Sequence, residues 1–141
     1  MDPDRLSIET DPAAQDIKFL EDRIIEYNIT QTGIRDGKLL STLLRDEHGD
    51  IVAGIYGWTW GGCCEIRYLW VHEDLRGRGY GKELLLEAER EAVARGCHQV
   101  ILDTHSFQAP LFYRKLGYEI VGVIEDYPLH HRKYYLRKSL D

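Results

Sequence analysis

Residues 75–85 read LRGRGYGKELL. Gly77, Gly79 and Gly81 alternate with Arg78 and Tyr80, with Arg76 and Lys82 on either side. A strand-like run, IRYLWV, comes before this stretch, and a leucine-patterned helical run follows it. This strand–loop–helix order limits the chain more than any other segment. A helix N-terminus presents unpaired backbone N–H groups and the positive end of a dipole. Glycines there tolerate positive φ and leave room for a ligand, so successive N–H groups can form an anion nest. Arg76, Arg78 and Lys82 add charge suited to a pyrophosphate.

The rest of the pattern fits one α/β domain spanning residues 1–141. RLSIE (5–9) is a short strand candidate, and DPAAQDIKFLEDRIIEYN follows as a helix with Asp11 as N-cap and Pro12 at its first position. TQTGIRDGK (30–38) reads as a loop. LLSTLLRD, EHGD and IVAGIYGWTW read as strand, turn and strand about Gly49, and GGCCEIRYLWV completes a meander. GKELLLEAEREAVARG is an amphipathic helix with Leu84, Leu85, Ala88 and Ala92 on one face, ending at Gly96. HQVILDTH is a buried-strand run, APLFYRKLGY a short helix stopping at Gly117, and YEIVGVIED and RKYYLRKSL are two more strands. The expected sheet is mixed, mostly antiparallel, with six to seven strands flanked by helices.

Which phosphate ligand suits the glycine loop? The Walker pattern fails, because Arg76 stands at its first glycine and Glu83 at its Ser/Thr. The dinucleotide pattern fails too, because Lys82 takes its third glycine. What remains is Arg-x-x-Gly-x-Gly at Arg76, Gly79 and Gly81. This resembles the acetyl-CoA motif of the GNAT superfamily of N-acetyltransferases, [Gln/Arg]-x-x-Gly-x-[Gly/Ala]. SFQAPLFYRKLGYEIVG (106–122) is similar to that family's second signature, a small helix with a Phe-Tyr pair that ends in GY. The two signatures lie in order in the second half of the chain.

The resemblance implies a sheet splayed between its fourth and fifth strands, IRYLWV and QVILDTH, with the pantetheine arm of acetyl-CoA in the gap. Leu69, Trp70 and Val71 would line that arm, with the Leu69 amide polarising the acetyl carbonyl. Arg76, Gly77, Arg78, Gly79, Tyr80, Gly81 and Lys82 would hold the pyrophosphate. Ser106, Ala109 and Phe112 would complete the cofactor site, although a serine stands where family members often carry asparagine. The implied reaction is attack of a primary amine on the thioester in a ternary complex. Glu65 is the expected general base and Tyr113 the expected acid for the departing thiolate. Simple strand alternation puts Glu65, Arg67, Leu69 and Val71 on one face. Tyr27, Asn28, Glu125, Asp126 and His130 are acceptor-side candidates on family grounds.

Composition narrows the partners. A formal net charge of −6 argues against nucleic acid as the main partner and is compatible with a cationic substrate. No apolar run is long enough for a bilayer, and the acidic start MDPDRLSIETD has no signal-peptide pattern, so a cytoplasmic enzyme without a membrane partner is expected. Cys63, Cys64 and Cys97 are an odd set with no metal spacing. His130 and His131 have no recurring ligand spacing, so no metal is expected. Trp58 and Trp60 share a strand face and read as core before acceptor wall. The preferred acceptor is a small-molecule amine. A peptide or protein N-acetyltransferase and a non-catalytic acyl-CoA sensor are the alternatives, and a homodimer is a family expectation.

Overall fold

The meander expected from residues 39–71 forms one half of a six-stranded sheet. Its strands are β1 (Lys38–Arg45), β2 (Ile51–Trp60) and β3 (Cys63–Val71). The other half holds β4 (Gln99–His105), β5 (Glu119–Glu125) and β6 (Arg132–Ser139), and the spatial order is β1-β2-β3-β4-β6-β5. Every pairing is antiparallel except β3 with β4, which is parallel. The computed structural model describes all residues, 1–141, in two units, Met1–Arg35 and Asp36–Asp141.

The first unit contains a 3-10 turn (Pro3–Arg5) and α1 (Ala14–Thr32). The expected strand at 5–9 is not formed, because no other strand in this unit offers it a ladder. The helix also starts later than expected. Ala13 stays extended, and the Asp16 carboxylate accepts the Ala13 N–H at 2.9 Å, so this contact sets the start instead of Asp11 and Pro12. At the other end α1 runs through Thr32 and stops at Gly33, whose φ of 71° suits a helix terminator.

In the second unit, α2 (Tyr80–Ala94) follows β3, and α3 (Pro110–Lys115) follows β4. Leu84, Leu85, Ala88 and Ala92 of α2 pack in one core with Ile55, Cys64, Ile66, Val100, Leu102, Tyr113, Tyr118 and Leu136. Alternation then sends the remaining strand side chains to the second face of the sheet, away from this core. Trp58 and Trp60 are half-buried on that second face, one step out of phase with buried Gly57 and Thr59, so the expectation that they form core is overturned. No helix is long and apolar enough to cross a membrane.

Candidate active site

The site is created by a register break in β3. Tyr56 pairs with Tyr68 but Gly57 pairs with Ile66, so β3 holds one extra residue, Arg67. Gly57 permits this close approach, since a Cβ there would sit 2.1 Å from the Glu65 carbonyl oxygen. The bulge reverses the strand's phase. Before it, Cys64 and Ile66 face the core; after it, Leu69 and Val71 do. Simple alternation therefore misplaces one pair: Glu65 does not share a face with Leu69 and Val71. Its β2 partner is Trp58, on the second face.

The same break opens the sheet. β3 and β4 pair only from Cys63 and Gln99 to Ile66 and Leu102. Beyond that point β3 continues to Val71 and β4 to His105 without pairing to each other, which is the expected splay. His72 N–H donates to Val52 O at 2.8 Å. By antiparallel alternation Trp70 and Tyr68 also direct their backbones to β2, while Leu69 and Val71 direct theirs into the gap. Trp70, expected in the cofactor site, thus has its backbone committed elsewhere, and its exposed indole makes an edge contact with His72.

The glycine loop closes one end of the gap. Gly79 is the N-cap of α2 with φ 89°, and Gly77 has φ 76°. A Cβ on either would meet nothing within 4 Å, so the loop backbone is open on the side where side chains would project. Gly81 is different: a Cβ there would lie 3.5 Å from Phe112 and 3.7 Å from Val71, which fastens α2 to α3 and to the end of β3. Arg76 Nε donates to Val71 O at 3.0 Å, so this cation ties the loop to the strand end. Arg78 and Lys82 are exposed, and Tyr80 turns toward a depression of about 540 Å³ beside Leu44 and His72. The residues present therefore suit a pyrophosphate: two positive-φ glycines, a helix N-terminus and exposed cations.

Tyr113 enters from α3. It is only 8% exposed and makes edge contacts with Phe112 and Tyr118. Burial first, and then the Asp103 charge, push its phenol up to about 12, so it remains a proton donor at neutral pH. Ala109 precedes α3 and its N–H donates to Thr104 Oγ1 at 3.4 Å.

Glu65 belongs to a row of charges on the second face. Arg67 Nη1 is 3.5 Å from Glu65 Oε2 and 3.9 Å from Asp103 Oδ2, and Lys133 Nζ is 3.7 Å from Asp103 Oδ1. Asp103 follows the last β3-paired residue of β4, on the lip of the gap. It was missed in the sequence, although a lone carboxylate in the apolar run QVILDTH, out of phase with Val100 and Leu102, was a usable signal.

The other candidates divide. Ser106 Oγ accepts the Arg132 N–H at 3.0 Å, so its hydroxyl extends the β4–β6 seam. It lines a depression of about 430 Å³ together with Glu125, Asp126 and His130, which joins one cofactor candidate to three acceptor candidates. In that hairpin Asp126 accepts the His130 N–H and Glu125 pairs with Arg132 at 2.8 Å. Tyr27 and Asn28 lie on α1 of the first unit, where Asn28 O accepts the Thr32 hydroxyl. No three His, Cys, Asp or Glu side chains converge.

Comparison with known proteins places this geometry. The family described as acetyltransferase (GNAT) matches residues 6–118. An acetyltransferase of Agrobacterium fabrum is 31% identical over 105 residues, 74% of this chain and 77% of its own. The blasticidin-S acetyltransferase of Streptomyces morookaense is 35% identical over 95 residues, 64% of this chain and 68% of its own. The crystal structure of an acetyltransferase from Bacillus cereus superimposes with a TM-score of 0.79 at 32% identity, covering 94% of this chain and 97% of that one.

Proposed function

Because this chain belongs to the acetyltransferase (GNAT) family, we propose that it moves the acetyl group of acetyl-CoA directly to a primary amine of a small molecule. One observation carries the reading: the Leu69–Val71 edge of β3, which β4 does not pair, opens beside the glycine loop at the α2 N-terminus. An extended amide-bearing arm adds to such an edge as a strand does, while its phosphates meet the helix end.

Acetyl-CoA, when bound, supplies an activated acetyl thioester. Gly77, Gly79, Arg78 and Lys82 hold the pyrophosphate by N–H groups and charge. The Leu69 N–H donates to the carbonyl oxygen on which negative charge develops. Glu65 takes the proton that the acceptor ammonium must lose before its nitrogen can bond to the acetyl carbon. Tyr113 gives a proton to the sulfur as the carbon–sulfur bond breaks. The second proton, shed by the nitrogen as it becomes an amide, passes through solvent to reprotonate the phenolate, and the proton on Glu65 leaves to water. Burial pushes the Cys64 thiol up to about 12 and raises Cys63 and Cys97 as well, so no cysteine offers an activated thiolate. That chemistry favours direct transfer over an acetylated cysteine.

Calorimetric titration with acetyl-CoA, with ATP and NAD as controls, tests the reading. Saturable binding of acetyl-CoA alone, followed by amine-dependent thiol release, is the expected result. Binding of ATP or NAD in its place overturns the reading. Thiol release with peptides but no small amine would leave the cofactor site intact and reassign the acceptor.

A further inference from the structure

The charge row on the second face says more about the acceptor than its place beside the gap. Glu65, Arg67, Asp103 and Lys133 come from three adjacent strands, alternate in sign and sum to zero formal charge. Among the other pairs, Arg90–Glu87 at 2.6 Å, Arg132–Glu125 at 2.8 Å and Arg95–Glu91 at 2.9 Å close to hydrogen-bond distance, whereas Arg5–Asp2, His48–Glu47 and His72–Asp74 stay at 3.4–3.8 Å with side chains 41–87% exposed. The three pairs in the row stay at 3.5–3.9 Å, and none forms a hydrogen bond. Exposure to solvent does not account for the row's spacing as it does for those long surface pairs. The side chains in the row are 19–42% exposed, whereas Arg90 and Glu87 are 64% and 53% exposed.

Aromatic rings flank both cations. The Arg67 guanidinium sits 5.9 Å from the Trp58 ring centre. The Lys133 ammonium sits 5.5 Å from Tyr127 and 5.3 Å from Tyr135. Such contacts are favourable by themselves and do not require a carboxylate partner. Both cations thus have aromatic contacts beside their carboxylate neighbours, and both carboxylates keep acceptor capacity.

We propose that this row selects an acceptor bearing both an ammonium and a carboxylate, that is, a free amino acid or a larger molecule with that grouping. This rests on the acetyltransferase reading above. Arg67 now occupies the place between Glu65 and Asp103 that an acceptor ammonium would take. A simple amine entering there displaces the guanidinium and leaves the row with one excess positive charge in a partly dry site. A zwitterion brings its own carboxylate, which pairs with the displaced Arg67 and with Lys133 and keeps the row neutral. The acceptor nitrogen then rests on Glu65 and Asp103, at the lip of the gap.

The test compares matched acceptors: each common amino acid as the free acid, as its carboxamide and as its decarboxylated amine. The readout is kcat/KM by thiol release, beside acetyl-CoA binding by calorimetry. The carboxamide's amine is less basic, so more of it is neutral at pH 7, which biases the comparison against the proposal. The expected result is a preference of at least about tenfold for free acids. In Arg67→Met or Lys133→Met that preference should shrink to within about threefold, and Arg67→Lys should restore part of it. Equal or better rates with carboxamides overturn the proposal, as does no turnover of any free acid by protein that binds acetyl-CoA. Failure to bind acetyl-CoA at all would instead overturn the reading beneath it.

Discussion

Two carboxylate–lysine groupings lie against opposite faces of this sheet and are built differently. On the core side, Glu89 of α2 is 7% exposed and fully engaged. Lys138 Nζ donates to its Oε1 at 2.6 Å and the Tyr118 hydroxyl donates to its Oε2 at 3.1 Å. Burial, and then the Glu89 charge, push the Tyr118 phenol far above its usual range, so it remains a hydrogen-bond donor. On the second face, Glu65, Arg67, Asp103 and Lys133 stand 3.5–3.9 Å apart. A buried carboxylate must be closed off by partners, because nothing else replaces its lost hydration. A partly exposed one keeps water as an alternative partner and stays free to exchange. The first arrangement holds the fold together, and the second suits a ligand that comes and goes.

The largest expected effect breaks the closed grouping. Glu89→Ala removes both acceptors from Lys138 and Tyr118 and should lower stability by about 3–5 kcal/mol. Urea unfolding measures it directly. A loss below about 1 kcal/mol would put Glu89 in the range of an exposed pair and erase the contrast. Glu65→Gln should behave in the opposite way. Its stability change should stay under about 1 kcal/mol, since the side chain is 31% exposed and loosely paired. Its kcat/KM should fall about 10²-fold, the usual scale for a lost general base. A variant with near wild-type turnover would remove Glu65 from the chemistry.

The two groupings were not equally legible in the sequence. The glycine loop, the α2 face and the Phe-Tyr helix could be read because each is a local pattern: spacing along one element fixes which residues meet. The loop at the α2 N-terminus follows from such a pattern, whereas the splayed sheet is expected only through the family resemblance that these patterns carry. Glu89 was missed because it is charged and helical, and only the approach of Tyr118 and Lys138 from two later elements makes its burial tolerable. Asp103 was missed for a related reason, since its neighbours Arg67 and Lys133 come from strands on either side. The face of Glu65 was misjudged because one inserted residue reverses a period of two. The bulge rests on the closeness of Gly57 to the Glu65 carbonyl, a contact between strands that spacing alone does not reveal. Trp58 and Trp60 read as core because large aromatics usually are, and here the second face takes them.

Tyr113 links the two sides and offers the smallest effect and the sharpest sign. Its ring lies 5.8 Å from the Tyr118 ring of the closed grouping, while its phenol feels the Asp103 charge of the open one. Tyr113→Phe keeps the ring packing and removes only the hydroxyl. As the proton donor to sulfur it should be worth about tenfold in kcat, less than the base because a thiolate is already a fair leaving group. The alkaline limb of stability provides an independent check. The phenol moves from 10.0 unfolded to about 12 folded, so its contribution is fully present below pH 10 and is lost as pH rises toward 12. Wild-type protein should therefore lose stability more steeply than Tyr113→Phe across that window, in urea titrations at fixed pH. Parallel curves would mean that the phenol already reaches water, and a hydroxyl in water would not be held where the sulfur departs.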